Sequence, residues 1–117
     1  MPHLTVHALE NDLTGREAAL AQALTDSVVS VYGPWARDVV NVQLISIPAG
    51  RWAVGGTLVQ TVAPVVTFGV NEAMFARADA DELVARLTGS VTDAVASAVG
   101  EHCRAGITVQ LVATPAG

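Results

Sequence analysis

The chain of 117 residues is poor in features that mark several classes of protein. It has one cysteine, Cys103, so it cannot form an internal disulfide, and a reducing cytoplasm is the expected location. Six basic residues stand against eleven acidic ones, and the formal net charge of −5 disfavours nucleic acid or an anionic membrane as a partner. No apolar run approaches the roughly 18–20 residues of a membrane span.

Aromatic residues are also scarce, at 4% of the chain, whereas hydrophobic residues of all kinds make up 51% and charged residues 15%. A core must therefore be built from Val, Leu, Ile and Ala, and the composition argues against disorder. The length fits one domain, residues 1–117. The mean hydropathy of +0.46 is high for a monomer of this size, which predicts apolar surface buried between subunits.

The first half of the chain has the pattern of a β-α-β unit. Residues 4–9 partly alternate between apolar and polar side chains, which is typical of a strand. Thr14 and Glu17 have the spacing of a capping box and predict the start of a helix. One face of that helix carries apolar side chains at intervals of three or four: Leu20, Leu24, Val28 and Val31. Gly33 ends the helix, and residues 39–47, rich in Val and Ile, predict a second strand.

The second half repeats the same order. Residues 65–70 predict a strand, and Asp79 with Glu82 offers an acidic form of the capping pattern. A helical stripe follows: Leu83, Leu87, Val91, Val95 and Val99. Residues 107–112 then predict the last strand. Between them, the hairpin at Gly55-Gly56 predicts a tight turn.

The two halves align with each other residue by residue and predict a duplicated unit, with pseudo-repeats over residues 2–60 and 64–113. The matching pairs keep their order: Pro2 with Pro64, Glu10 with Glu72, Leu20 with Leu83, Leu24 with Leu87, and Gln43 with Gln110. A β-α-β crossover is right-handed and pairs its strands in parallel. We therefore expect a four-stranded sheet with two helices on one face. The other face is expected to be bare and apolar, which calls for partner subunits in a closed ring.

The sequence resembles the tautomerase superfamily at Met1-Pro2, which opens a strand, and at Trp52 followed by Gly55-Gly56. The similarity extends to 4-oxalocrotonate tautomerase, to macrophage migration inhibitory factor and to the fused, long-chain branch related to cis-3-chloroacrylic acid dehalogenase. The resemblance implies an α/β (α+β) fold of two tandem β-α-β units, assembled as a homotrimer. It also implies a cofactor-free, metal-free isomerase that acts on a small keto or enol carboxylic acid.

The chemistry of a proline at the head of the chain can be argued from its amine. Met1 is usually removed before a residue as small as Pro2, which would leave a secondary amine at the new terminus. An ordinary α-amino group has a pKa near ~7.7–8, and burial or a nearby cation lowers it. A neutral amine near pH 7 can take a proton from one atom and return it to another, which is keto–enol tautomerisation. The alternative interpretation is a proline that only begins an edge strand.

Four further residues are candidates for substrate binding. The dehalogenase branch has arginines before its second helix, so the resemblance makes Arg77 the best candidate for the cation that binds a carboxylate, and Arg51, beside the matched aromatic residue, is a second. Trp52 is predicted to form a wall that keeps Pro2 dry, and Asn41 to donate a hydrogen bond to a substrate oxygen. The two arginine positions of 4-oxalocrotonate tautomerase correspond to uncharged Leu13 and Asn41, so its dicarboxylate substrate is not expected here.

Two alternatives remain open at this stage. One is a hydratase, decarboxylase or dehalogenase in which Pro2 stays protonated and acts as an acid. The other is a non-catalytic binding member of the same fold, which the loss of both arginine positions favours. No metal site is predicted, because His102 and Cys103 lack further ligands at suitable spacing.

Overall fold

The computed structural model describes residues 2–115, and a four-stranded sheet covered by two long helices organises them. The strands are β1 His3–Leu9, β2 Asn41–Ile47, β3 Ala53–Val54, β4 Thr57–Leu58, β5 Val65–Asn71 and β6 Thr108–Thr114. The helices are α1 Glu10–Leu13, α2 Glu17–Tyr32 and α3 Ala80–Val99. Short 3₁₀ helices cover Pro34–Asp38, Glu72–Ala76 and Glu101–Gly106. Within residues 2–115, no helix combines the length and apolarity that crossing a membrane requires.

The sheet contains the two β-α-β units that the sequence predicts. Its spatial order is β2-β1-β5-β6, with β1 and β2 parallel and β5 and β6 parallel. The two units meet through β1 and β5, which are antiparallel, with His3 opposite Gly69 and Val6 opposite Val66. The crossover helices α2 and α3 pack against each other, and Ser90 Oγ donates a hydrogen bond to the Ser27 carbonyl oxygen at 3.3 Å.

The core lies between the helices and the sheet, because the apolar side chains of both follow the predicted periods. Alternate residues of β1 are fully buried, namely Leu4, Val6 and Ala8. The helical stripes meet them with Leu20, Leu24, Val28, Leu87, Val91 and Val95, all at 0% exposure. Each such side chain contributes about 1.5–3 kcal/mol of hydrophobic stabilisation on burial.

The opposite face of the sheet is bare but mixed in character, which corrects the expectation of an apolar surface. A polar row crosses all four strands in register: Gln43, Thr5, Thr67 and Gln110. Ile45 and Val112 are exposed on the same face. The sheet alternates its side chains between two faces, so the polar residues of each strand gather where no helix covers them.

The predicted capping box is wrong in its details. The Thr14 hydroxyl donates to the Glu10 carbonyl oxygen at 2.9 Å, so it closes α1 instead of opening α2. The carboxylate of Glu17 accepts from the Gly15 N–H at 2.8 Å and ties the turn to the first residue of α2. The hairpin between β3 and β4 is confirmed, with Gly55 and Gly56 at φ 59° and 82°, a conformation that favours glycine.

Candidate active site

Pro2 lies at the end of the sheet where β1 begins and five elements meet, and the topology explains why. Strands β1 and β2 are parallel and both start at this end of the sheet. The Pro2 carbonyl oxygen accepts a hydrogen bond from the Asn41 N–H at 3.1 Å. Helix α2 runs back from the other end of the strands and ends here at Tyr32. Because β5 is antiparallel to β1, it ends beside Pro2 at Asn71, and α3 begins nearby.

A cavity of about 880 Å³ opens at this end of the sheet, and buried Pro2 forms part of its wall. Most of the lining side chains are apolar. The lining residues are Pro2, Val31, Tyr32, Trp35, Val39, Val70, Asn71, Ala73, Met74, Arg77 and Leu83. The structure thus brings together two residues that the sequence analysis selected, Pro2 and Arg77, which are 75 positions apart in the numbering.

An aromatic wall that the sequence analysis missed forms one side of the cavity. The rings of Tyr32 and Trp35 are stacked, with centroids 6.0 Å apart and planes within 8°. Trp35 Nε1 donates to the Tyr32 carbonyl oxygen at 2.7 Å, which holds the indole in place. Tyr32 also contacts the buried ring of Phe68, edge to face at 6.4 Å, and burial raises the pKa of its phenol. A signal was present in the sequence, because these aromatics flank the helix stop at Gly33.

Arg77 is the cation of the cavity wall, and Asp79 holds it from outside. Arg77 Nε donates to Asp79 Oδ1 at 2.8 Å and Arg77 Nη2 donates to Asp79 Oδ2 at 3.0 Å. This paired geometry lowers the pKa of the Asp79 carboxyl and raises the pKa of the Arg77 guanidinium. The Asp79 carboxylate therefore binds Arg77 and does not cap α3, as the sequence pattern had suggested. Asp79 is not part of the cavity lining.

The other three predicted substrate contacts do not line this cavity within the described part of one chain. Asn41 is exposed and lies opposite His3 on the bare face of the sheet. Arg51 and Trp52 precede the β3–β4 hairpin, where the Trp52 carbonyl oxygen accepts from the Val59 N–H at 3.0 Å. Their substrate-binding roles stay predictions.

A smaller cavity of about 370 Å³ lies at the other end of the strands, where β1 ends at Leu9. Asp12, His102 and Cys103 are among its lining residues. Burial raises the pKa of the Cys103 thiol, which donates to the Gly100 carbonyl oxygen at 3.0 Å, so this thiol is a poor nucleophile. Within residues 2–115, no group of three or more His, Cys, Asp or Glu side chains is placed to hold a metal ion.

The larger cavity combines a mostly apolar wall with one basic side chain among its described lining residues. The apolar walls and stacked rings can accept a hydrocarbon body, and the guanidinium of Arg77 can bind a carboxylate. The nitrogen of Pro2 can accept a proton only when no residue precedes it. Met1, whose removal the sequence analysis expects, lies outside the described residues.

Comparisons with known proteins support this fold. No model of a protein family matches the sequence. A search of curated proteins also finds no match. Among solved structures, a wild-type fused 4-OT described as an asymmetric trimer superposes with a TM-score of 0.81 at 24% identity, over 97% of this chain and 86% of that one.

Two further structures agree with this result. A native fused 4-OT gives a TM-score of 0.80 at 22% identity, over 97% of this chain and 87% of that one. A member of the cis-3-chloroacrylic acid dehalogenase family gives 0.79 at 19% identity, over 97% and 75%. Similarities at this level of identity establish the fold. The chain thus has the two-unit fold of these fused 4-OT structures, as the resemblance in the sequence implied.

Proposed function

We propose that the protein is a cofactor-free tautomerase that moves a proton within a small keto or enol carboxylic acid, with Pro2 as general base and acid. The observation that carries the proposal is the position of Pro2, which is buried at the wall of an apolar cavity that also contains Arg77. The fold shared with the fused 4-OT structures supports it.

The proposed reaction is a proton transfer in two steps. The Pro2 amine, freed by removal of Met1, is kept neutral because the apolar lining disfavours the ammonium form. In the ketonising direction this amine takes the proton of the enol hydroxyl and becomes an ammonium. It then gives a proton to the adjacent carbon, which leaves the ketone and the neutral amine. Arg77 binds the carboxylate and stabilises negative charge that develops on the enolate.

We propose a homotrimer as the working assembly, as in the wild-type trimers among the similar structures. Strands β2 and β6 form the two edges of the sheet, and large apolar side chains are exposed on or beside the sheet: Ile45, Val54, Leu58 and Val112. Association would cover that surface. A role for Asn41, Arg51 or Trp52 at a substrate would depend on such an assembly, because within one chain these residues lie away from the cavity.

A second candidate is a hydratase, decarboxylase or dehalogenase that uses protonated Pro2 as an acid. The similarity to a member of the cis-3-chloroacrylic acid dehalogenase family favours it. A binding protein of the same fold is a third, because the exposed Arg77 is already paired with Asp79. The apolar lining around Pro2 favours the neutral amine, and therefore the tautomerase, over the acid.

The decisive experiment compares Pro2→Ala with Pro64→Ala in a ketonisation assay on phenylenolpyruvate. Pro64 is the matched control, since it is a buried proline at the same position of the second unit and has no free amine. We expect Pro2→Ala to lose at least about 100-fold in kcat, in the usual range for a general base, and Pro64→Ala to retain turnover.

The pH dependence separates the remaining candidates. A base loses activity as the pH falls and the amine is protonated, whereas an acid gains it. A rate that rises toward low pH would therefore support the second candidate. Correctly folded protein that turns over neither enol acids nor haloacrylates would support the binding protein.

A further inference from the structure

The wall of the larger cavity contains one cation, and its charge is already balanced. Among the described lining residues, Arg77 is the only basic one. Its side chain and that of Asp79 form a bidentate ion pair, so the two together carry no net charge. A ligand with one carboxylate would leave the pair and ligand with a net charge of −1, and a ligand with two would leave −2, with no second cation among the described lining residues.

The geometry of the ion pair leaves room for one carboxylate. Asp79 takes up Nε and one N–H of Nη2, which is one edge of the guanidinium. The Nη1 group and the remaining N–H of Nη2 form a second edge that suits another carboxylate in the same fork geometry. Since Asp79 lies outside the cavity lining, it can hold Arg77 without blocking the space in which a ligand would lie.

The rest of the wall suits a flat, apolar body. The stacked rings of Tyr32 and Trp35 give a flat aromatic surface, and the side chains of Val31, Val39 and Leu83 add apolar surface beside it. Aromatic ligands stack on such surfaces with about 0.5–1.5 kcal/mol beyond the burial of their area.

We infer that the site selects a monoanionic acid with a flat apolar or aryl body, and that Asp79 is the positioning residue that sets this charge limit. The inference rests on the proposed function only in taking this cavity as the substrate site. It deepens that function by excluding small dicarboxylic acids as preferred substrates.

The test measures binding at equilibrium, by dialysis at pH 7.5 and low salt, and uses the full-length mature protein. The probes are phenylpyruvate and 4-carboxyphenylpyruvate, which differ by a second carboxylate at the far end of the same ring. We expect the monoanion to bind at least tenfold more tightly. In Asp79→Asn, which keeps an oxygen that can accept from Arg77, we expect the preference to fall at least threefold because one negative charge is gone.

The matched control is Asp81→Asn, which removes the same charge from the first turn of α3 at a residue that makes no ion pair with Arg77. It should leave the preference unchanged, and a melting curve for each variant shows that the fold is intact. A merely structural role of Asp79 would weaken both probes equally.

The inference is overturned if both probes bind alike, if neither binds, or if Asp79→Asn and Asp81→Asn give the same preference as the wild type. Equal binding would mean that another subunit supplies a second cation, with Arg51 as the first residue to substitute. Failure of the proposed function looks different, because it would appear as selective binding of the monoanion without turnover. Turnover without that selectivity would overturn the inference alone.

Discussion

The imidazole of His3 lies directly over the Cα of Gly69, its cross-strand partner on the bare face of the sheet. A β-carbon added at position 69 would overlap the ring atoms of His3. The pair joins the two units at the residue that follows Pro2. The close approach of strands β1 and β5 at this point fixes where β1 begins relative to the cavity.

Gly69→Ala is therefore expected to displace His3 and to destabilise the fold by about 1 kcal/mol, since the ring can turn toward solvent at the cost of its packing. Urea unfolding followed by circular dichroism measures the change. The double variant His3→Ala/Gly69→Ala should recover most of the loss, because the overlap is then absent.

The control for that experiment is Gly89→Ala. Gly89 lies in α3, and an added β-carbon would meet no atom within 4 Å. Alanine is favoured over glycine inside a helix, so we expect a gain of roughly 0.5–1 kcal/mol. A Gly69→Ala protein as stable as the Gly89→Ala protein would contradict the reported approach of His3.

Trp35→Ala and Trp52→Ala distinguish the aromatic wall seen in the structure from the one predicted from the sequence. Removing the Trp35 indole takes away the stacked surface beside Tyr32, so KM for an aryl enol acid should rise about 3- to 10-fold with kcat little changed. Trp52→Ala should change KM by less than about twofold in comparison. Steady-state kinetics on both variants measure the two changes in KM. A larger rise in KM for Trp52→Ala than for Trp35→Ala would instead indicate that Trp52 contacts the substrate.

The ion pairs of Arg104 at the end of α3 should make the free energy of unfolding depend on pH. It forms ion pairs with Glu101 and Asp93, and it lowers the pKa of the Glu101 carboxyl. A lowered carboxyl pKa stabilises the folded state above the pKa of the unfolded chain, and this stabilisation disappears as the pH falls through the folded value.

We therefore expect Arg104→Ala to unfold at lower urea concentration than the wild type at pH 7, with the difference shrinking as the pH falls below about 4. Because all three side chains are exposed, added salt should also reduce the effect. Arg51→Ala removes a charge that forms no ion pair with a described carboxylate, and serves as the control. A difference that persists unchanged at low pH would rule out this electrostatic origin.

The fold could be predicted from the sequence because it depends on periodic patterns that recur in both halves. The stripe from Leu20 to Val28 and its counterpart from Leu87 to Val95 fixed the two helices and the face that each buries. The ends of the elements were less certain, since they depend on local hydrogen bonds. Thr14 closes one helix where its spacing had suggested that it opens another.

The site could be predicted only in part. Pro2 was selected for the chemistry of an N-terminal amine and Arg77 for its place just before the second helix, and both line one cavity. Trp52 was selected because it belongs to a linear sequence motif. Trp35 reaches the cavity because α2 ends at the same end of the sheet where β1 begins. That proximity follows from tertiary topology, which a local pattern does not contain.

The most direct test of the account changes only the chemical state of the Pro2 nitrogen. Insertion of one glycine between Met1 and Pro2 leaves every lining side chain in place but makes this nitrogen an amide, which cannot accept a proton. Intact mass of both proteins establishes which residue begins each mature chain, and ketonisation of phenylenolpyruvate is then measured on the same samples. The account predicts that the wild type begins at Pro2 and is active, and that the extended protein is folded and inactive. Equal turnover by the two proteins, or an active wild type that retains Met1, would contradict it.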